Sequence, residues 1–151
     1  MTTDDRLREL GIQLPAAAKP VAAFVMAART GSLLFVSGHI ARKDGKAWVG
    51  QLGKNMTTAE GKIAAHAVAL DLMATLKDAL GSLDKVKRIV KALCLVNSTG
   101  DFTEQHLVAN GCSELLVAVF GERGAHARSA FGVAQLPMGA CVEVELVVEV
   151  S

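Results

Sequence analysis

The 151-residue chain carries a net charge of +1, with 51% hydrophobic residues against 21% charged ones. That balance excludes a disordered polypeptide and fits one folded domain without room for a second. Lys and Arg form no basic stripe, only 4% of residues are aromatic, and the three cysteines (Cys94, Cys112 and Cys141) stand far apart, which argues against a nucleic-acid binder, a disulfide framework and a zinc site.

Residues 3–10 read as a short helix, with Thr3 as N-cap and Gly11 ending it. Residues 1–19 are expected to be an N-terminal extension on a single domain spanning 1–151. Leu14 to Pro20 is a connecting segment. Two β-like runs follow, Ala22–Arg29 and Leu33–Ile40, and Thr30-Gly31-Ser32 between them suits a hairpin turn. Arg42 to Asn55 reads as a polar loop carrying Trp48, for which a lid and an interface anchor are both open.

Thr57 and Glu60 have the spacing of a capping box, in which each side chain satisfies a backbone N–H of the other. A long helix is expected from Ala59 to Leu80. Ala65, Ala69, Leu72, Leu76, Leu80 and Leu83 form its apolar stripe, and Gly81 is a natural stop. Val86–Asn97 reads as a strand. Asp101 and Glu104 mark the start of a second helix and Gly121 its end. Gly111 in the middle of that helix is unfavourable by about 1 kcal/mol relative to Ala.

His126–Gln135 and Cys141–Val150 read as the last two strands, joined by Leu136-Pro137-Met138-Gly139. In the final strand Val142, Val144, Leu146, Val148 and Val150 share one face, which should meet the helices. Glu143, Glu145 and Glu149 lie on the other. The order ββ–α–β–α–ββ predicts an α+β fold, one sheet with two helices on one side. If the last turn closes a hairpin, Arg128 stands opposite about residue 147, and Glu143 lies about 13 Å along the strand. The two would bracket a ligand only through long side chains or across a subunit boundary. The N-terminus lacks a signal-peptide pattern and no apolar run reaches the ~18 residues of a membrane span, so a cytoplasmic protein without membrane contact is expected.

The segment Arg128-Ser129-Ala130-Phe131-Gly132-Val133-Ala134-Gln135-Leu136-Pro137, followed by Val142-Glu143-Val144-Glu145, resembles the signature of the RidA/YjgF family, also named L-PSP endoribonucleases. Phe35-Val36-Ser37-Gly38-His39-Ile40 resembles the family's Ser-Gly-(Gln/His)-Ile segment. The resemblance implies a chorismate-mutase-like fold, a homotrimer, and small-molecule clefts between subunits. It further implies hydrolysis of reactive 2-imino or enamine carboxylates to 2-keto acids and ammonia, without metal or cofactor. On that reading Arg128 holds the substrate carboxylate as a guanidinium fork, Glu143 activates water, and Ser37, Gly38 and Phe24 line the pocket.

The match has departures. Phe24 stands where such deaminases carry a Tyr, Ala130 replaces a frequent Cys, and the loop around Trp48 resembles a side branch of the family. Taken alone, Arg128 is a surface or ion-pair residue, Glu143 a solvated or interface carboxylate, and Ser37 a strand-end residue. His126 would point the same way as Arg128 from its strand. A non-catalytic trimer that binds or senses a small carboxylate is the rival reading, and an RNA-cleaving translation inhibitor a weaker one.

Overall fold

The computed structural model describes all residues, Met1–Ser151. Its elements in chain order are α1 (Thr3–Glu9), β1 (Ala27–Thr30), β2 (Leu33–Ile40), β3 (Arg42–Lys43), β4 (Lys46–Ala47), α2 (Thr58–Leu80), β5 (Val86–Asn97), α3 (Gln105–Phe120), β6 (Ala127–Val133) and β7 (Val142–Val150). Five strands form one sheet in the order β1-β2-β7-β5-β6, and β3 and β4 form a separate two-stranded ribbon. The architecture is the expected α+β sheet with helices on one face. No helix is long and apolar enough to cross a membrane.

The alternation of β7 organises the core. Val142, Val144, Leu146, Val148 and Val150 are all buried. They join one apolar cluster with Val68, Leu72 and Leu76 of α2 and Val108, Cys112 and Leu116 of α3. Each such side chain removed from water contributes about 1.5–3 kcal/mol. The three cysteines are buried free thiols, and desolvation pushes the Cys94 thiol up to about 12.

The start of α2 follows its sequence. Thr57 and Glu60 cap each other reciprocally, and Gly81 at φ 81° ends the helix in the left-handed region. At α1 the expectation shifts by one residue. Thr2 is the N-cap, in a capping box with Asp5. Thr3 is thereby free to bond across the fold. Its N–H and Oγ1–H both donate to Asp84 Oδ1, at 2.8 and 2.7 Å. Arg123 adds a bond to Thr3 Oγ1 at 3.0 Å, and Leu7 enters the core, so α1 is fastened to the body.

Three other expectations change. The first strand covers only Ala27–Thr30, because residues 21–24 bend away from β2. The polar loop after β2 contains the β3–β4 ribbon, turned at Asp44 (φ 54°) and Gly45 (φ 77°), the geometry of a tight hairpin turn. The last two strands are not neighbours. β6 pairs parallel with β5, as a strand–helix–strand crossover through α3 allows, and β7 pairs antiparallel with both β5 and β2. Trp48 is no lid. It packs partly buried against the core, and its backbone links Ala41 to Cys141.

Gly111 has a packing reason. A Cβ there would run into the Lys62 carbonyl of α2 and lie 3.1 Å from the His66 nitrogen, so α2 and α3 touch backbone to backbone. Gly111→Ala is expected to destabilise the fold by about 1–3 kcal/mol, read as a lowered urea midpoint.

His39, on the helix side of β2, is buried. Its Nδ1–H donates to the Ser37 carbonyl at 2.6 Å, which leaves Nε2 to accept the Thr75 hydroxyl at 2.7 Å. Burial holds its pKa below the ordinary 6.5, against the opposing effect of the Ser37 carbonyl. The unfolded chain therefore takes up a proton first as pH falls. The stability contributed by neutral His39 is complete above about pH 6.5 and is lost as pH falls through the lowered folded value. Urea titrations at about pH 7.5 and 5.5 should show a smaller acid-induced loss for His39→Gln than for the wild type.

Candidate functional site

The site begins with an interruption in β2. Its register with β7 slips between Val36 and His39, which marks a bulge at Ser37-Gly38. Ser37 Oγ donates to the Val25 carbonyl at 2.6 Å, and the Ser37 N–H donates to Met26. These bonds tie β2 to the last residues before β1. The Ser37 hydroxyl is thus spent on the backbone, although its oxygen can still accept.

Gly38 has a definite role. A Cβ at this position would collide with Glu143 Oε2 and lie 3.0 Å from Glu143 Cδ. The missing side chain is the seat of the Glu143 carboxylate. Glu143 is half-buried on the sheet face away from the helices, opposite Ile40 on one side and Leu95 on the other. Desolvation, then the charge of Glu145, pushes its carboxyl above the usual value. A carboxylate held this way is a stronger base than a free one.

Beyond the bulge β1 no longer covers β2, since it pairs with Leu33–Val36 alone. A cavity of about 420 Å³ opens along that uncovered edge. Phe24 and Gly38 line it, with Met26, Arg42, Asp71 and Met138. Phe24 is 42% exposed, so its ring is available as a wall. Met138 sits at φ 59°, in the left-handed region that non-glycine residues rarely adopt, at a cost of about 1–2 kcal/mol.

Arg128 lies elsewhere. It stands opposite Ala92, which stands opposite Leu146, so it shares the helix-facing side of the sheet. Its Nη1 donates to Asn110 Oδ1 at 2.9 Å and Ser113 Oγ at 3.1 Å, and its Nη2 to the His106 carbonyl at 3.1 Å. Ser113 also meets His126 Nε2 at 2.8 Å. His126 and Arg128 therefore do point the same way, toward α3. Asn110 and Ser113 carried no signal of their own in the sequence, because a polar pair on a helix looks like any solvated face. Three of the five guanidinium donors are engaged, leaving Nε–H and one on Nη2.

The structure thus brings Phe24, Ser37, Gly38 and Glu143 to one region and leaves Arg128 apart. Glu143 stands opposite Leu95, and Leu95 opposite Phe131. From there Arg128 is three residues back along β6, two strands over and on the other face, roughly 14 Å from Glu143 by strand spacing. The hairpin expectation, with Arg128 opposite residue 147, is corrected to Leu146 through an intervening strand. Within one chain the two do not face a common ligand. No group of three His, Cys, Asp or Glu side chains could hold a metal ion.

The far sheet face also carries exposed apolar rings. Phe35 is 46% and Phe131 48% exposed, with Leu93, Leu95 and Val147 partly buried between them. This surface is more apolar than a solvated sheet face requires.

Comparison with known proteins fits this geometry. Residues 4–150 match the family model described as "YjgF/chorismate_mutase-like, putative endoribonuclease". Protein TCP17 of Trypanosoma cruzi is 51% identical over 147 residues, which cover 96% of this chain and 92% of that protein. A crystal structure of a protein of unknown function from Agrobacterium tumefaciens is 40% identical, with a TM-score of 0.89 over 99% of this chain and 92% of the other. A RidA from an Antarctic Psychrobacter is 25% identical, with a TM-score of 0.57 over 92% of this chain and 98% of its own. The chain is structurally nearer to the first of these two folds than to RidA. With the family model spanning residues 4–150, the chain belongs to the YjgF/RidA family.

Proposed function

We propose that the chain is a hydrolytic deaminase of small 2-imino or enamine carboxylates, acting as a homotrimer with its sites between subunits. The observation that carries this reading is the seating of Glu143 over Gly38, half-buried and with its pKa raised. Imine hydrolysis needs a base that takes a proton from water as the oxygen attacks the imine carbon. Glu143 does this, its protonated form gives that proton to the nitrogen, and the freed carboxylate then relays the O–H proton of the resulting carbinolamine to the same nitrogen. Water supplies the keto oxygen, the C–N bond breaks, and ammonia leaves with a 2-keto acid.

Arg128 supplies the carboxylate fork from a neighbouring copy. Its two uncommitted donors, fixed in direction by Asn110, Ser113 and His106, suit that role. The separation of Arg128 from Glu143 within one chain supports a shared site, and the exposed Phe35 and Phe131 give the far face a reason to associate. Phe24 forms a wall of the cleft, with Ser37 accepting from substrate or water. The reaction calls for no metal and no cofactor. The cell compartment proposed is the cytoplasm, and the 1–151 chain acts as one domain with α1 as its N-terminal addition.

Two outcomes test the reading. Wild-type protein should accelerate 2-keto acid and ammonia release from 2-iminopropanoate generated in place, at the solution mass of three chains. Arg128→Ala should lose at least ~10-fold of that rate. A folded trimer without acceleration would favour the carboxylate-binding alternative.

Glu143→Gln should abolish turnover and raise the melting temperature near neutral pH. The folded protein holds this carboxyl above its ordinary pKa, so its ionised form weakens the fold, and that penalty disappears as pH falls. A Gln variant that melts lower than wild type at neutral pH would contradict the assigned strain.

A further inference from the structure

Arg128 is held by more than its immediate neighbours. Its Nη1 donates one hydrogen to Asn110 Oδ1 and the other to Ser113 Oγ. Ser113 Oγ in turn meets His126 Nε2 at 2.8 Å, and His126 Nδ1 meets the Gly124 carbonyl at 2.6 Å. Both ends of this chain are fixed in sense, because a guanidinium only donates and a carbonyl only accepts. Nδ1 therefore carries the imidazole proton, and the bare Nε2 of the neutral ring accepts the Ser113 hydroxyl. With its one hydrogen turned to His126, Ser113 Oγ presents lone pairs to Arg128. All three bonds run in one direction, from Arg128 through Ser113 and His126 to Gly124, and bonds aligned in this way strengthen one another.

The far end of the chain is firmly seated. Gly124 closes the 3-10 turn Gly121–Gly124 and is buried. A Cβ on it would run into the Leu116 carbonyl, so the turn lies directly on the backbone of α3. His126 stands between that turn and the start of β6, two residues ahead of Arg128, and ties both to the helix that carries Asn110 and Ser113.

One edge of the guanidinium is left for a ligand. With Nη1 committed twice, the donors that remain are Nε–H and one hydrogen of Nη2, whose other hydrogen goes to the His106 carbonyl. Nε and Nη2 lie side by side in the guanidinium plane and form a fork that matches a carboxylate. A guanidinium with Nη1 unheld would be free to turn its other edge outward.

We propose that His126 is a positioning residue for Arg128: through Ser113 it holds Nη1 on α3 and so commits the Nε–Nη2 edge to the substrate carboxylate. The inference rests on the reading of Arg128 as the carboxylate fork. It adds a residue outside the cleft of Phe24, Ser37, Gly38 and Glu143 that sets which edge of that fork binds. His126 touches no substrate atom.

Two substitutions separate this role from packing. His126→Leu removes the acceptor for Ser113, whereas His126→Gln supplies one. Both lose the imidazole bond to Gly124, so a role in packing alone would move the two variants together. Side-chain NMR of isotope-labelled arginine reads rotation of Arg128 about its Cζ–Nη bonds, the Arg128 signals being those lost in Arg128→Ala. Rotation should be about 5-fold faster in His126→Leu than in wild type, the weight of one hydrogen bond, and unchanged in His126→Gln. KM for 2-iminopropanoate should rise roughly 3–10-fold in His126→Leu with kcat held within about 2-fold. Ser113→Ala should behave as His126→Leu does, and the double variant should be no worse than Ser113→Ala, since both break the same link. Leu and Gln variants that behave alike, wild-type rotation or wild-type KM in His126→Leu, or additive losses in the double variant would overturn the proposal. Should His126→Leu fail to fold, Ser113→Ala and His126→Gln carry the comparison, and wild-type rotation in Ser113→Ala overturns it. Absence of turnover in wild type sinks the deaminase reading instead, and the rotation measurements then decide alone whether His126 holds Arg128.

Discussion

The structure depends on the dry face of β7. This strand is central, paired with β2 on one side and β5 on the other, and every second residue of it is buried under α2 and α3. A slip of one residue would turn five aliphatic side chains to the outside and three glutamates toward the core. That constraint fixes which face of the sheet carries Glu143. It leaves one side of the sheet filled by the core and the other more open.

The second determinant is the break in β2. Before it, β1 covers the strand; after it, the edge is open and borders a cavity. The bulge at Ser37-Gly38 gives the Glu143 carboxylate its place, and burial, then the charge of Glu145, raises its pKa. Burial of an acid without a cationic partner is unfavourable to folding, and such strain persists where the surroundings enforce it. Here the enforcement comes from the β2–β7 register and from the bonds of Ser37 to residues 25 and 26.

Much of the fold was legible in the sequence because its signals are local. Period-two alternation revealed β7, and the Thr57/Glu60 pair with Gly81 marked both ends of α2. The strand order was not legible. A short connection between β6 and β7 looks like a hairpin, and nothing local to it reports that β5 has two free edges to fill. The β3–β4 ribbon escaped because two-residue strands are too short to show a period, although Asp44-Gly45 is a strong turn signal. Residues 22–26 have strand-like composition, yet the bulge that diverts them lies in another segment. For the site, the motifs located Ser37, Gly38, Arg128 and Glu143, and alternation placed Glu143 on the far face, but nothing local indicated that Arg128 lies on the helix-facing side. Arg42 carried no motif, and its pairing with Asp71, a residue of α2, exists only in the folded chain.

The contact between Gly38 and Glu143 also bears on how this protein can change by descent. The space for the carboxylate is the absence of a side chain, so a substitution at position 38 evicts Glu143 and strands the acid. Loss of Glu143 in turn leaves a void beside a glycine that nothing further requires to be small. Drift at either position releases the other, and the two should be inherited or lost together as a unit.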